Sequence, residues 1–226
     1  MDASSDRTEQ SPTGAHRPML CGEEVPKAGH ICAFFSSEDE KYEVLSSYFA
    51  DAIQSGDRVV DVVEAARYEE HLRGMVDAGV DMRTALESGQ LRLATCEDIY
   101  FRDGRLELDA VLDMLRAELQ ATREEGACLR TSGEMNWVAR DPAVRDRAME
   151  YEARVNQLMA AHECTMLCVY DLAATPSSLI SDILATHPYA VVNGRLRPNP
   201  WAVDPEAFLQ MRAARAVARN DVGTLS

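Results

Sequence analysis

Arg130, Glu134 and Trp137 lie together in LRTSGEMNW (129–137), around Gly133 and directly after an apolar run. A guanidinium, a carboxylate and an indole at the end of a strand are the parts of a small-molecule pocket. The indole would bury an apolar body while the charged groups fix a polar end. The same residues read equally as a buried Arg–Glu pair beneath a packed indole. LCVYD (167–171) brings Tyr170 and Asp171 to the end of a second apolar run. An ATPase would carry a metal-binding carboxylate there, and a helix cap is the alternative role for Asp171. His187, before Pro188, points either into the same crevice or into a turn. Arg130, Glu134, Trp137, Tyr170, Asp171 and His187 are therefore the candidate ligand-binding set.

Other chemistry has weaker support. His162, Cys164 and Cys168 show an H-x-C-x3-C spacing. Cysteines four apart on a strand, however, are about 13 Å apart at ~3.3 Å per residue, too far to share an ion held at ~2.3 Å. Ligands from different strands can converge, and His30, Cys32 and Cys168 are the set for an alternative thiol or metal sensor. Strand alternation puts His30 on one face with Cys32 and Phe34, where a histidine is more often hydrogen-bonded structure than ligand. An enzyme is a further alternative, with Glu134 or His187 as acid/base. No G-x-S-x-G elbow is present, and nothing selects a nucleophilic Cys–His pair. An unidentified small-molecule ligand is expected, with no further cofactor.

The elements that must position these residues alternate along the chain. HICAFF (30–35), RVVDVV (58–63), QLRLAT (90–95), ACLRT (127–131) and TMLCVYD (165–171) are apolar, strand-like runs separated by amphipathic stretches. This βαβα order predicts an α/β fold with a mainly parallel sheet flanked by helices. Leu108, Val111, Leu112, Leu115 and Leu119 make one helical stripe. Val144, Ala148, Tyr151, Val155, Leu158 and Met159 make another, entered through Asp141 and Pro142. YAVV-NG-RLRP carries the strongest two-residue turn signal, Asn193-Gly194, and predicts a C-terminal antiparallel β-hairpin at one sheet edge. A last helix is expected from Asp204-Pro205 to about Ala218.

After HICAFF, where such a fold would carry a glycine-rich phosphate loop, the chain reads SSEDEKY (36–42), acidic and without glycine. Wrapping a phosphate needs glycines and a Lys-Ser/Thr pair, and both are missing. Ser37 and Glu40 instead fit a capping box, and Glu38 and Asp39 put carboxylates where a helix N-terminus would attract the anion. ATP hydrolysis is not expected.

The formal net charge of -15 argues against direct binding to nucleic acid or to an anionic membrane surface. The first residues carry no apolar signal-like run, and no stretch reaches membrane-spanning length, so a cytoplasmic location is expected. The six cysteines should then be reduced. Residues 1–27 have the composition of a disordered tail, and 220–226 of a frayed end.

With these motifs in place, the chain resembles the MEDS family, the methanogen and methylotroph, DcmR-like sensory domain. The matching pieces are G-H-I-C-x-F-F (29–35), S-G-D-R-V-V (55–60), S-G-Q-L (88–91), E-D-I-Y-x-x-D-G (97–104), R-x-x-G-E-M-x-W (130–137), L-C-x-Y-D (167–171) and T-H-P (186–188). The resemblance implies a RecA/KaiC-like core with a degenerate P-loop over residues 28–219. It also implies sensing of simple hydrocarbon derivatives, in proteins of signal transduction and transcription regulation. Residues outside the domain are too few for a DNA-binding or kinase module, so a stand-alone sensor is expected, signalling through a protein partner or a homo-oligomer.

Overall fold

The computed structural model describes residues 17–26, 28–162 and 164–223. A ribbon of β1 (Met19–Leu20) and β2 (Glu23–Glu24) precedes β3 (Gly29–Phe35), α1 (Glu38–Ser55), β4 (Arg58–Val63), α2 (Tyr68–Asp77), α3 (Met82–Glu87), β5 (Leu91–Thr95) and α4 (Cys96–Tyr100). A second ribbon, β6 (Phe101–Arg102) and β7 (Arg105–Leu106), leads into α5 (Leu108–Glu124), β8 (Leu129–Glu134) and α6 (Pro142–Met159). The chain closes with β9 (Cys164–Asp171), α7 (Ser177–Thr186), β10 (Tyr189–Val192), β11 (Arg195–Pro198) and α8 (Pro205–Gly223).

Seven strands form one sheet in the order β11-β10-β3-β9-β8-β4-β5, parallel throughout except for the β10–β11 pair. The expected architecture is therefore present, including the edge hairpin. Its turn residues Asn193 and Gly194 have φ of +50° and +64°, the left-handed pair that a two-residue hairpin needs. β9 sits between β3 and β8 with helices over both faces, which is why its sequence is apolar almost without break.

Alternation along β3 divides the core. Cys32 and Phe34 face a layer that includes Leu112 and Leu115 of α5, Ala148 and Val155 of α6, and Ile183 of α7. Ile31, Ala33 and Phe35 face Leu45 and Phe49 of α1, Met75 of α2 and Met82 of α3. Helix α1 begins as its sequence demands: Ser37 Oγ accepts from Glu40 N at 3.2 Å. The returning Glu40 carboxylate takes Ser36 N and Ser36 Oγ at 2.9 and 2.7 Å, one residue earlier than a standard box. The helix ends at Gly56, whose φ of +77° is the left-handed stop that a Cβ would strain.

Both chain ends extend further than expected. Residues 17–26 are ordered, because Leu20 and Val25 are apolar and bury against the α1 side of the sheet. Residues 1–16 of the expected tail lie outside the described residues, as do 224–226. At the other end α8 runs past Ala218 to Gly223, started by Asp204 Oδ1, which accepts from Glu206 N and Ala207 N.

Candidate functional site

The loop after β3 opens on a crevice of about 190 Å³ at the C-terminal ends of the strands. Ser36, Ser37, Glu38, Lys41, Arg67, Glu134, Asn136 and Asp171 line it. Glu134, the last residue of β8, is buried, and its Oε1 takes Lys41 Nζ at 3.1 Å while Oε2 accepts from Glu64 N at 3.0 Å. Lys41 also pairs with Glu38 at 2.7 Å, and Arg67 reaches Glu38 at 2.6 Å. Burial works to lower the Lys41 ammonium, but Glu134 and Glu38 hold it above its ordinary value. The cations where a phosphate would lie are thus already answered by the protein's own carboxylates. Asp171 acts as a turn residue: its Oδ1 accepts from Ala173 N at 2.8 Å, and its carbonyl takes Thr175 N at 2.9 Å.

Arg130 is not in this crevice. It is the second residue of β8, and its guanidinium points to the opposite end of the sheet. Nε donates to Asp57 Oδ2 at 2.7 Å, and an Nη nitrogen meets Asp51 Oδ2 at 2.5 Å. The Arg130–Glu134 pair, the alternative reading of this segment, is therefore absent, since residues four apart on an extended strand sit about 13 Å apart at ~3.3 Å each. Trp137 is buried on the α5–α6 side of the sheet against Tyr100 and Phe101, with ring centroids at 4.9 and 5.2 Å.

Beside that aromatic group lies an apolar cavity of about 50 Å³ between the sheet and helices α5 and α6. Val60, Val111, Leu115, Tyr100, Tyr151 and Cys168 are among its walls, and Thr131 presents a buried hydroxyl that has no hydrogen-bond partner. Burial pushes the phenols of Tyr100 and Tyr151 well up, so both stay protonated hydroxyls.

Tyr170 and His187 belong to a buried cluster next to the cavity. Glu152 of α6, 0% exposed, receives His30 Nε2 at 3.0 Å and lies 3.5 Å from His187 Nε2. Cys168 Sγ is 3.4 Å from His30 Nε2 and 3.6 Å from Glu152 Oε2, and Tyr170 donates to Glu152 Oε1 at 3.4 Å. Burial works to raise the Glu152 carboxyl, but the hydrogen bond from His30 and the neighbouring His187 bring it below its ordinary value. Cys32 lies outside this group and donates to Tyr189 O at 3.6 Å. Of the His30, Cys32 and Cys168 set, only His30 and Cys168 converge.

Residues 29–188 match the family described as MEDS, the methanogen/methylotroph, DcmR sensory domain. The chain belongs to the MEDS family. Its fold is also shared with solved structures. The flagellar accessory protein FlaH from Methanocaldococcus jannaschii aligns at TM-score 0.52 and 15% identity, covering 78% of each chain. A KaiC-like protein from Pyrococcus horikoshii aligns at TM-score 0.55 and 14% identity, covering 76% of this chain and 75% of that one. No curated protein matches. This MEDS domain is thus a sensory domain on a KaiC-like α/β framework, and no helix among its described residues is long and apolar enough to cross a membrane.

The structure separates the sequence-derived set into distinct places. Glu134 and Asp171 share the crevice, Tyr170 and His187 the buried cluster, while Trp137 lies by the cavity and Arg130 at the far sheet end. Glu134 and His187, the two candidates for acid/base chemistry in the enzyme alternative, share no hydrogen-bond or ion-pair partner among the described residues. Glu152 escaped the sequence reading although a signal existed: it lies four after Ala148 and three before Val155, a carboxylate on the apolar stripe of α6. Lys41 had a similar signal, being the lone cation in an acidic first turn.

Proposed function

We propose that this MEDS domain senses a very small, largely apolar molecule bound in the cavity between the sheet and helices α5 and α6. The cavity carries the reading. A cavity of about 150 Å³ takes benzene, so one near 50 Å³ suits on the order of one to three non-hydrogen atoms. Its apolar walls favour a hydrocarbon-like body, and the unpartnered Thr131 hydroxyl offers a hydrogen bond to one polar end. Simple hydrocarbon derivatives such as short alcohols, aldehydes and halides have this chemistry. The sensed signal passes to a protein partner or a second copy of the chain. The exposed Trp201, beside the edge hairpin, fits such a contact.

The crevice supports a domain that does not hydrolyse ATP, since Glu38, Glu134 and Asp171 would face the phosphates and no glycine wrap exists to hold them. The test is a titration with one- to three-carbon alcohols, aldehydes and halides, followed by methyl NMR of the labelled protein. Saturable shifts of Met166 and Leu115 are expected, weakened by Thr131→Val for ligands with a polar end. Absence of saturable shifts across the series refutes the cavity as the sensing site, and measurable magnesium-dependent ATP turnover refutes the second part.

A further inference from the structure

We propose that His30, Glu152, Cys168 and His187 bind one divalent transition-metal ion of the zinc class, through the two Nε2 atoms, Glu152 Oε2 and the Cys168 thiolate. These donors come from β3, α6, β9 and the segment between α7 and β10, so only the completed fold brings them together. All four donor atoms lie within 4.8 Å of one another. Tetrahedral zinc with bonds of about 2.0–2.1 Å to nitrogen and oxygen and about 2.3 Å to sulfur sets its ligand atoms roughly 3.3–3.6 Å apart. The separations described above, 3.0, 3.4, 3.5 and 3.6 Å, fall around those edges.

Hydrogen bonds behind the rings fix which nitrogen faces the centre. His187 Nδ1 meets the Ile183 carbonyl at 2.7 Å. A carbonyl only accepts, so Nδ1 carries the proton and Nε2 presents its lone pair. Asn156 donates its amide N–H to the Thr186 carbonyl, which turns Asn156 Oδ1 toward His30 Nδ1 at 3.0 Å. His30 is thereby held with Nδ1–H outward and Nε2 inward. This is the outer-shell arrangement that orients histidine ligands.

Without a cation the arrangement is poorly satisfied. Two ring nitrogens converge on one carboxylate oxygen, and His187 Nε2, fully buried, has no hydrogen-bond partner. A proton on His30 Nε2 answers one contact and leaves the other. A second proton on His187 would place another charge in a site that is 0% exposed, with the His30 ring only 4.1 Å away. One divalent ion satisfies every donor, and with a carboxylate, a thiolate and two neutral imidazoles the centre carries no net charge. Neutrality matters where His30, Glu152 and His187 are 0% exposed and Cys168 is 3% exposed. The donor set selects zinc, cobalt or ferrous iron over calcium and magnesium, which take oxygen ligands. Four protein ligands close the coordination sphere, as in a structural or sensing site.

The experiment uses the full chain prepared without a histidine tag. Elemental analysis is expected to give one zinc or similar ion per chain. Chelator-stripped protein is expected to take up one equivalent of cobalt(II), with tetrahedral visible bands and a thiolate charge-transfer band. Cys168→Ser should abolish the charge-transfer band, and Asn156→Ala, which keeps all four ligands, should weaken binding about 10- to 100-fold. Cys32→Ser, on the same sheet face but outside the donor set, should bind like the parent. The proposal is overturned if the folded, stripped chain shows no saturable one-to-one cobalt or zinc binding at micromolar concentration. It is equally overturned if Cys168→Ser and Asn156→Ala leave that binding and its spectrum unchanged.

Discussion

Replacing Arg130 by Met separates a structural role from a ligand-binding one. The guanidinium is fully buried and shared by Asp51 and Asp57, whose side chains are 18% and 10% exposed. Each carboxylate also accepts a backbone N–H, from Met19 at 3.0 Å and from Cys128 at 3.2 Å. The arginine therefore ties the first ribbon, the end of α1 and the start of β8 to one point. Met fills much of the same space but leaves two carboxylates facing each other without their shared cation. Breaking a buried pair from one side costs about 3–5 kcal/mol, a large part of the roughly 5–15 kcal/mol that holds a domain together. At about 2–4 °C per kcal/mol for a chain of this size, the melting temperature should fall by roughly 6–20 °C. Urea unfolding of the parent, Arg130→Met and the Arg130→Met/Asp57→Asn double variant measures the loss, and the double variant should recover part of it. Small-molecule binding by the fraction still folded should be unchanged. A loss below about 1 kcal/mol, the range of exposed pairs, would refute the reasoning. So would lost ligand binding at parental stability.

Gly133→Ala puts a Cβ 2.9 Å from the Tyr100 hydroxyl at the cavity wall, and should destabilise the domain by about 1–3 kcal/mol while lowering cavity occupancy in the NMR titration. Iodoacetamide at pH 8 should modify the half-buried Cys128 ahead of Cys32, Cys164 and Cys168 in the native protein, read by peptide mass mapping. Burial pushes the Cys164 thiol up to about 12 and raises Cys32 as well, and Cys168 is 3% exposed, so fast native-state labelling of these three would contradict the packing. Glu38 contributes to acid stability: burial alone would raise its carboxyl, but Arg67 and Lys41 hold it below 4.5. Its contribution is therefore present above pH 4.5 and fades as pH falls through the lowered value. Acid titration of Glu38→Gln should show a shallower stability loss below pH 4.5 than the parent, and identical slopes would count against the pair.

The layer order, the parallel sheet, the edge hairpin and the start of α1 were legible because each rests on local patterns: alternation, a two-residue turn and a capping sequence. The sites were less legible because strand geometry spreads close neighbours in sequence. Arg130 and Glu134 looked like partners in one glycine turn, yet β8 runs extended between them and delivers them to opposite ends of the sheet. Glu152, Asn156 and His187 meet His30 only through the stacking of α6 and α7 on the sheet, which no spacing encodes. The buried end of the N-terminal segment was missed because Leu20 and Val25 are single apolar residues in a polar stretch, too few to show a period.

The crevice after β3 and the buried cluster beneath α6 are built in opposite ways. In a KaiC-like framework the loop after β3 is where an anion would be held by backbone N–H groups. Here Ser37 and Glu40 occupy the helix start, and Lys41 is committed to Glu134 and Glu38. That network ties β3, β8 and α1 together at the open end of the sheet. The opposite pattern holds beneath α6. There the groups are fully enclosed, the cavity is apolar, and Thr131 and His187 keep unpartnered polar atoms. Cys168 borders both the cavity and the histidine–glutamate cluster. A molecule entering the cavity would therefore press on the strand that carries the cluster, while the crevice stays locked by its own ion pairs. Responsiveness in this domain is thus expected beneath α6, and structural rigidity at the crevice after β3.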